Sequence, residues 1–269
     1  MNNNIKYSIC ATVYNSAEII EEAIKPYLEL GDEYEIIITD NKSKDGTFEI
    51  LKKYEPKIKT ISFKCTRGLG RNKAMELSQG KILIFLMDLD VAYFNIKDLI
   101  NLYLKDFQNF VLQIYPKNPT CNAEIIICKR ELFELLEFFP DLNNSEDLYF
   151  VKKAEALNLL KSISLDIKHR CLSVKEKNSG KESRYEKNFI KKIIRRIKTT
   201  RDILFVHNFK YSQLMEWYNL KGFKKFYIGL PLYIIGKLLT YFIKVPKLEK
   251  EIERLKNKVS NLNLISINK

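Results

Sequence analysis

Ile82-Leu83-Ile84-Phe85-Leu86-Met87-Asp88-Leu89-Asp90 is the stretch on which the reading of this chain turns. The apolar run from Ile82 to Met87 has the length and composition of a buried β-strand. Where it surfaces stand two carboxylates one residue apart, and such a pair is costly to bury unless positive charge meets it. Side chains alternate along a strand with period two, so Asp88 and Asp90 are expected on one face. At the carboxyl end of a sheet strand the pair suits Mg²⁺ or Mn²⁺, which take oxygen ligands and keep substrate phosphate in their shell. It suits a strand-end turn with two solvated aspartates equally well, and the neighbouring segments have to decide.

Upstream, Tyr7 to Val13 is a β-rich run that exits at Tyr14-Asn15-Ser16. A helical pattern follows, with Ile19, Ile20, Ala23, Ile24 and Tyr27 on one face, and Gly31-Asp32 breaks it. Tyr34 to Thr39 reads as a second buried strand leaving through Asp40-Asn41-Lys42-Ser43. Asp45-Gly46-Thr47 then opens a second helix. Ile58 to Phe63 reads as a third strand, Arg67-Gly68-Leu69-Gly70 as a glycine loop, and Arg71 to Ser78 as the helix it opens. Strands alternating with helices predict a parallel sheet with crossover helices. Ligands collect at the carboxyl ends of the strands in such sheets, and Asn15, Asp40, Arg67 and the Asp88/Asp90 pair all fall there.

After Asp90 the alternation stops. Helix is expected over 96–107 and 129–139, strand over 110–115 and 123–128. Asn144 and Ser145 are expected to cap a helix from Glu146 to Leu160. The run 175–187 is polar. From Ile190 to Ile203 six basic residues surround Ile193, Ile194 and Ile197. Phe226 to Val245 is apolar but holds Pro231, Lys237 and Lys244, which argues against a spanning helix. It reads as an interfacial or re-entrant segment with snorkelling lysines, or as a buried helical hairpin. Leu248, Ile252, Leu255, Val259 and Leu262 form a short heptad seam.

The 269 residues accommodate one large α/β domain and an appendage, drawn here as 1–185 and 186–269. A formal net charge of +13 calls for an acidic partner: a membrane surface, nucleic acid or a phosphorylated substrate. Five scattered cysteines without a CxxC spacing suggest neither a zinc site nor a disulfide framework, and fit a reduced, cytosolic compartment. Met1-Asn2-Asn3-Asn4 is not expected to begin a secretory signal.

Five segments in order carry a family resemblance. They are Cys10-Ala11-Thr12-Val13-Tyr14-Asn15, Thr39 to Thr47, Arg67 to Ala74, Met87-Asp88-Leu89-Asp90, and Ser145-Glu146-Asp147. Together they resemble the family 2 glycosyltransferases of the GT-A fold, over roughly residues 7 to 150. Asn41-Lys42, where that family often has Asp-Gly, and Ala11, where proline is common, depart from the pattern. The resemblance implies an inverting transfer of sugar from a nucleotide diphosphate to a hydroxyl acceptor. It also implies a Rossmann-like, mostly parallel sheet, to which we add the expectation of a membrane-associating helical C-terminal region.

Residue by residue, the resemblance implies that Thr12, Tyr14, Asn15 and Asp40 line the base and ribose, with Arg67 and Arg71 near base or diphosphate. It implies Asp90 as ligand of Mn²⁺ or Mg²⁺, Asp88 as contact to ribose or metal-bound water, and Asp147 of the Glu146-Asp147 pair as general base. The competing reading of that pair is an acidic helix cap. His207 is expected either to complete the metal site or to be structural. The donor is expected to be a UDP-, GDP- or dTDP-sugar, the acceptor a glycan or lipid-linked glycan, and the location the cytoplasmic membrane face, peripheral or monotopic. Residues 247–262 are expected as an oligomerisation helix. Two alternatives stay open. A sugar-nucleotide nucleotidyltransferase shares a similar sheet, but needs a basic glycine loop after strand one, where Tyr14 to Glu18 is acidic. A non-enzymatic membrane or nucleic-acid binder would exploit the charge, although no nucleic-acid motif is present and nucleic acid is not expected.

Overall fold

The structure, a computed structural model, describes residues 5–117, 124–172, 189–221 and 224–261. The 185/186 boundary, the polar run 175–187, most of the 116–122 loop and Leu262 lie outside the described residues.

Strands β1 (Tyr7–Val13), β2 (Tyr34–Asp40), β3 (Ile58–Ser62) and β4 (Ile82–Leu86) are joined by helices α1 (Ile20–Leu28), α2 (Thr47–Lys52) and α3 (Arg67–Glu76). They form the parallel half of a seven-stranded sheet ordered β3-β2-β1-β4-β7-β6-β8. Beyond β4 come β5 (Val91–Tyr93), α4 (Ile96–Leu102), β6 (Val111–Pro116), β7 (Ile125–Lys129), α5 (Arg130–Leu135), α6 (Glu146–Ala156), β8 (Leu160–Leu165) and β9 (His169–Cys171). Strand β7 runs antiparallel to both β4 and β6, and β8 is parallel to β6. Strands β5 and β9 pair separately as a small antiparallel ribbon.

β2 and β4 are buried at every position, as uninterrupted apolar strands in the middle of a sheet covered on both faces must be. One core gathers Ile9, Ile36, Ile84 and Ile127 with α1 and α4; the opposite core gathers Phe85, Phe133, Phe139 and Phe150 with α3, α5 and α6. Several local expectations are corrected. Arg67 to Gly70 is the first turn of α3 rather than a loop, because Thr66 caps it by accepting from the Leu69 N–H at 3.3 Å. Helix α6 ends at Ala156 and gives way to β8, so the 146–160 helix is shortened by a strand at its end. Its N-cap Ser145 sits at φ 60° with no side-chain cap bond, so the expected capping is absent there.

The C-terminal part is helical: α7 (Phe189–His207), α8 (Tyr211–Trp217), a π-helical turn at Lys225–Gly229, α9 (Leu230–Thr240) and α10 (Leu248–Asn261). It packs closely on the sheet domain. Val206 and Leu248 share a core with Leu142 and Tyr149, and the Tyr149 hydroxyl donates to the Pro246 carbonyl at 2.7 Å. The seam of α10 is therefore spent on the chain's own body: Leu255 is fully buried, and Arg254 and Lys258 pair with Glu137. Of the seam expected for oligomerisation over 247–262, Leu248 and Leu255 are thus buried within the chain, while Ile252 and Val259 are partly buried.

Candidate active site

At the carboxyl ends of β1, β2 and β4 opens a cleft of about 450 Å³. Thr12, Val13 and Tyr14 contribute from β1 and its exit, Asn41 from the exit of β2, and Met87 to Asp90 from the exit of β4. Thr66, Arg67 and Arg71 come from α3 and its cap, Asn143 and Asn144 from the approach to α6, and Arg195, Lys198 and Thr199 from α7. The strand order reverses between β1 and β4, and crevices at such switch points are where α/β sheets bind ligands.

Asp88 and Asp90 are not on the strand, where period-two alternation puts them, but in a turn beyond it. The Asp90 N–H donates to the Asp88 carboxylate at 3.0 Å. Both are half-buried and both line the cleft, so the turn achieves the convergence expected of the strand.

Arg71 is almost wholly buried, which only its partners make tolerable. Its guanidinium pairs with Glu146, donates to the Met87 carbonyl at 2.7 Å and lies over the Phe139 ring. Glu146 thus neutralises Arg71 and steadies the backbone just before Asp88. Glu146, expected with Asp147 at the catalytic pair, is held here by its pairing with Arg71. The next residue, Asp147, is half-buried on the first turn of α6. Burial and the Glu146 charge raise its pKa, against Arg71, the Leu148 N–H and Arg67. Asp147 does not itself line the cleft, although its neighbours Asn143 and Asn144 do.

Glu124, which the sequence does not single out, lies beside the site without lining the cleft. It precedes β7, accepts from the Gln113 amide at 2.7 Å, and burial followed by the Asp147 charge pushes its pKa up to about 7. The Met87 N–H donates to its carbonyl at 3.2 Å, which brings it up to the β4 exit.

Other expected residues do different work. Asp40 is fully buried and accepts from the Ser62 hydroxyl at 2.6 Å and the Ser43 N–H at 3.1 Å, so it shapes the loop while its neighbour Asn41 faces the cleft. Asn15, at φ 48°, binds the same loop: its N–H donates to the Ser43 hydroxyl and its side chain accepts from the Lys44 N–H. Asp45 and Thr47 are structural, as expected, joining the α2 start to Ala17 and Ser16. Asn72 clamps the Phe139 backbone with two hydrogen bonds, at 2.9 and 3.0 Å. Gly70 packs against the Thr12 and Thr39 hydroxyls, where a Cβ would collide, so the glycine closes helix on strand.

His207 ends α7 against Phe209 and Trp217, with ring centroids 4.5 and 5.0 Å away, and does not line the cleft. Burial and Lys152 lower its pKa, holding it neutral as an aromatic packing element. From the basic run of α7, Arg195 and Lys198 line the cleft. The Asn144 side chain donates to Thr199 at 3.3 Å and the Asn143 N–H to Asp202 at 3.2 Å, which fasten α7 over this side.

The donor set tests the expected metal. Among the described residues no group of three His, Cys, Asp or Glu side chains is placed to hold an ion. Two carboxylates nevertheless fit Mg²⁺ or Mn²⁺ when substrate phosphate and water complete the shell.

Fold and cleft together define an α/β protein whose strand exits open on a cleft lined by both acidic and basic residues. The Glycosyl transferase family 2 profile matches residues 8–153, more than half of the chain, and the chain belongs to that family. Its relatives include an uncharacterized glycosyltransferase, YfnE, of Bacillus subtilis (strain 168), 33% identical over 39% of this chain. Another is the poly(ribitol-phosphate) beta-glucosyltransferase of Bacillus spizizenii, 30% identical over 30% of this chain. The matched stretches span only 28% and 14% of those two proteins. Among solved structures, S. aureus TarS 1–349 in complex with UDP-GlcNAc superposes with a TM-score of 0.58 at 18% identity, covering 86% of this chain and 79% of that one. Mannosyltransferase PcManGT from Pyrobaculum calidifontis, in complex with GDP-Man and Mn²⁺, gives 0.54 at 15% identity, covering 96% and 80%. These likenesses establish the GT-A fold.

Proposed function

We propose that the protein transfers a sugar from a nucleotide-diphosphate donor to a hydroxyl acceptor, with inversion, using Asp147 as general base. The observation that carries this reading is the cleft that Asp88 and Asp90 line together with Arg67, Arg195 and Lys198. Thr12, Tyr14 and Asn41 supply a wall for base and ribose, and the three cations meet the diphosphate, where guanidinium and ammonium groups suit phosphate oxygens. Asp90 and Asp88 would hold a divalent cation, which when bound supplies Lewis-acid stabilisation to the departing diphosphate. Asp147 takes the acceptor proton as that oxygen attacks the anomeric carbon. Its raised pKa makes it a stronger base than an ordinary aspartate once ionised. The acceptor on this reading is a glycan or lipid-linked glycan, in keeping with the poly(ribitol-phosphate) named for one relative.

The test is release of nucleoside diphosphate from a panel of UDP-, GDP- and dTDP-sugars with Mn²⁺ or Mg²⁺. Turnover with at least one donor is expected. Asp147→Asn should lower kcat by about 10²–10⁴ with donor binding retained, and Asp90→Ala should weaken the metal-dependent binding of nucleoside diphosphate. No donor binding and no turnover across the panel would refute the reading.

A further inference from the structure

The segment 217–248, from Trp217 to Leu248, holds six lysines and not one Asp or Glu. Within it the π-helical turn and α9 form one continuous helical stretch whose two faces differ completely. Gly229, Leu232 and Gly236 are buried: Gly236 packs on Thr200 and Leu204 of α7, and Gly229 on Met215. Half a turn away, Tyr227, Leu230, Ile234, Leu238, Tyr241 and Phe242 recur at mostly three- and four-residue steps and face outward. Tyr227 is 78% exposed, Leu238 59%, Tyr241 77% and Phe242 79%. The stripe is about 20 Å long at 1.5 Å per residue. Exposed aromatic and aliphatic side chains in such a run mark an interaction surface.

Charge selects the occupant. Lys224 and Lys225 stand exposed at one end of the stripe, and Lys244 and Lys247 at the other. A second copy of this chain would bring the same lysines against themselves, whereas anionic headgroups complement them. No helix among the described residues is long and apolar enough to cross a membrane. An apolar stripe with aromatic residues and lysines at its ends is the pattern of a helix lying in the headgroup region.

We infer that this face is a docking surface for an anionic lipid bilayer, with α9 lying in the plane of the membrane. The surface is separate from the α7 cations that face the cleft, and it stands whether or not the cleft transfers sugar. The basic residues that meet the lipid are then the lysines flanking α9, rather than Arg195 and Lys198.

Co-sedimentation of the full chain with vesicles tests it. Binding is expected to vesicles of phosphatidylcholine containing phosphatidylglycerol, and to be much weaker with phosphatidylcholine alone. The double variant Tyr241→Ser/Phe242→Ser keeps the net charge, so an apolar contribution is read directly: its partition should fall at least about tenfold. Lys224→Glu/Lys225→Glu should also fall about tenfold, with loss of most of the salt dependence. All these positions are exposed, and unchanged thermal unfolding of each variant would verify the fold. Wild-type protein that stays in the supernatant with both vesicle types overturns the proposal. So does serine-variant binding equal to wild type. Light scattering that finds a wild-type dimer made monomeric by the serine pair also overturns it, because the stripe would then be covered by a second copy. Donor turnover in solution, measured on the same variants, should be unchanged, which keeps a failure here distinct from a failure of the catalytic reading.

Discussion

At the residue scale two carboxyl groups, Glu124 and Asp147, are held back from ionisation. Burial raises both pKa values most, and the Asp147 charge raises that of Glu124 further. A carboxyl with a raised folded pKa keeps its proton to higher pH in the folded state than in the unfolded one. Its ionisation therefore destabilises the fold as pH rises from the ordinary carboxylate range through about 7. Glu124→Gln tests this, because an amide cannot ionise. The melting temperature should exceed wild type by about 2–5 °C at pH 8 and match it near pH 5. A melting-temperature difference that does not change between pH 5 and pH 8 would show that Glu124 does not titrate in this range. Glu124 is illegible in sequence because nothing local distinguishes a lone glutamate before a strand. Arg71 and Glu146 are legible as site residues, but their pairing is not, since only packing brings α3 against α6.

At the element scale α7 decides what the cleft can hold. Its hydrogen bonds through Asn143 and Asn144 seat it on the approach to α6, so that one helix supplies two cations to the cleft that Asp88 and Asp90 also line. Arg195→Ala and Lys198→Ala should each raise the donor KM about tenfold, the worth of a charge-assisted contact to phosphate. The effect should shrink as salt rises, because screening weakens the wild-type interaction first. A donor KM indifferent to both substitutions and to salt would show that α7 only walls the site. The basic run is plain in the sequence, yet its direction is not. With cations all along 191–201, periodicity leaves open which of them point inward. Helix α3 offers the opposite case. Its Gly68 and Gly70 are readable as positions of close approach, and the structure identifies the approaching groups as protein: Pro140 for Gly68, Thr12 and Thr39 for Gly70.

At the scale of the whole molecule the C-terminal helices complete one body with the sheet domain. Leu255 of α10 is fully buried, and the Glu137 carboxylate is held by Arg254 and Lys258. Leu255→Ala should cost about 2–5 kcal/mol of stability in chemical denaturation. It should do so without changing the oligomeric state, because the seam of α10 faces the chain's own core. Dissociation of an oligomer by this variant would restore the intermolecular reading.

The order of strands and crossover helices up to Asp90, and the arrival of Asp88, Asp90 and Arg67 at one sheet edge, were determined by the sequence alone. Periods of two and 3.6 residues and apolar strand runs are local, and a parallel sheet forces its strand exits to one side. Only the tertiary structure decided that Asp40 and Asn15 shape a loop, that Glu146 neutralises Arg71, and that His207 packs among aromatic rings. It alone decided which cations of α7 reach the cleft and which face of α9 is left open. Those outcomes depend on contacts between segments far apart in the chain. A residue's own neighbours specify its chemistry, but not the partner that the packed fold brings to it.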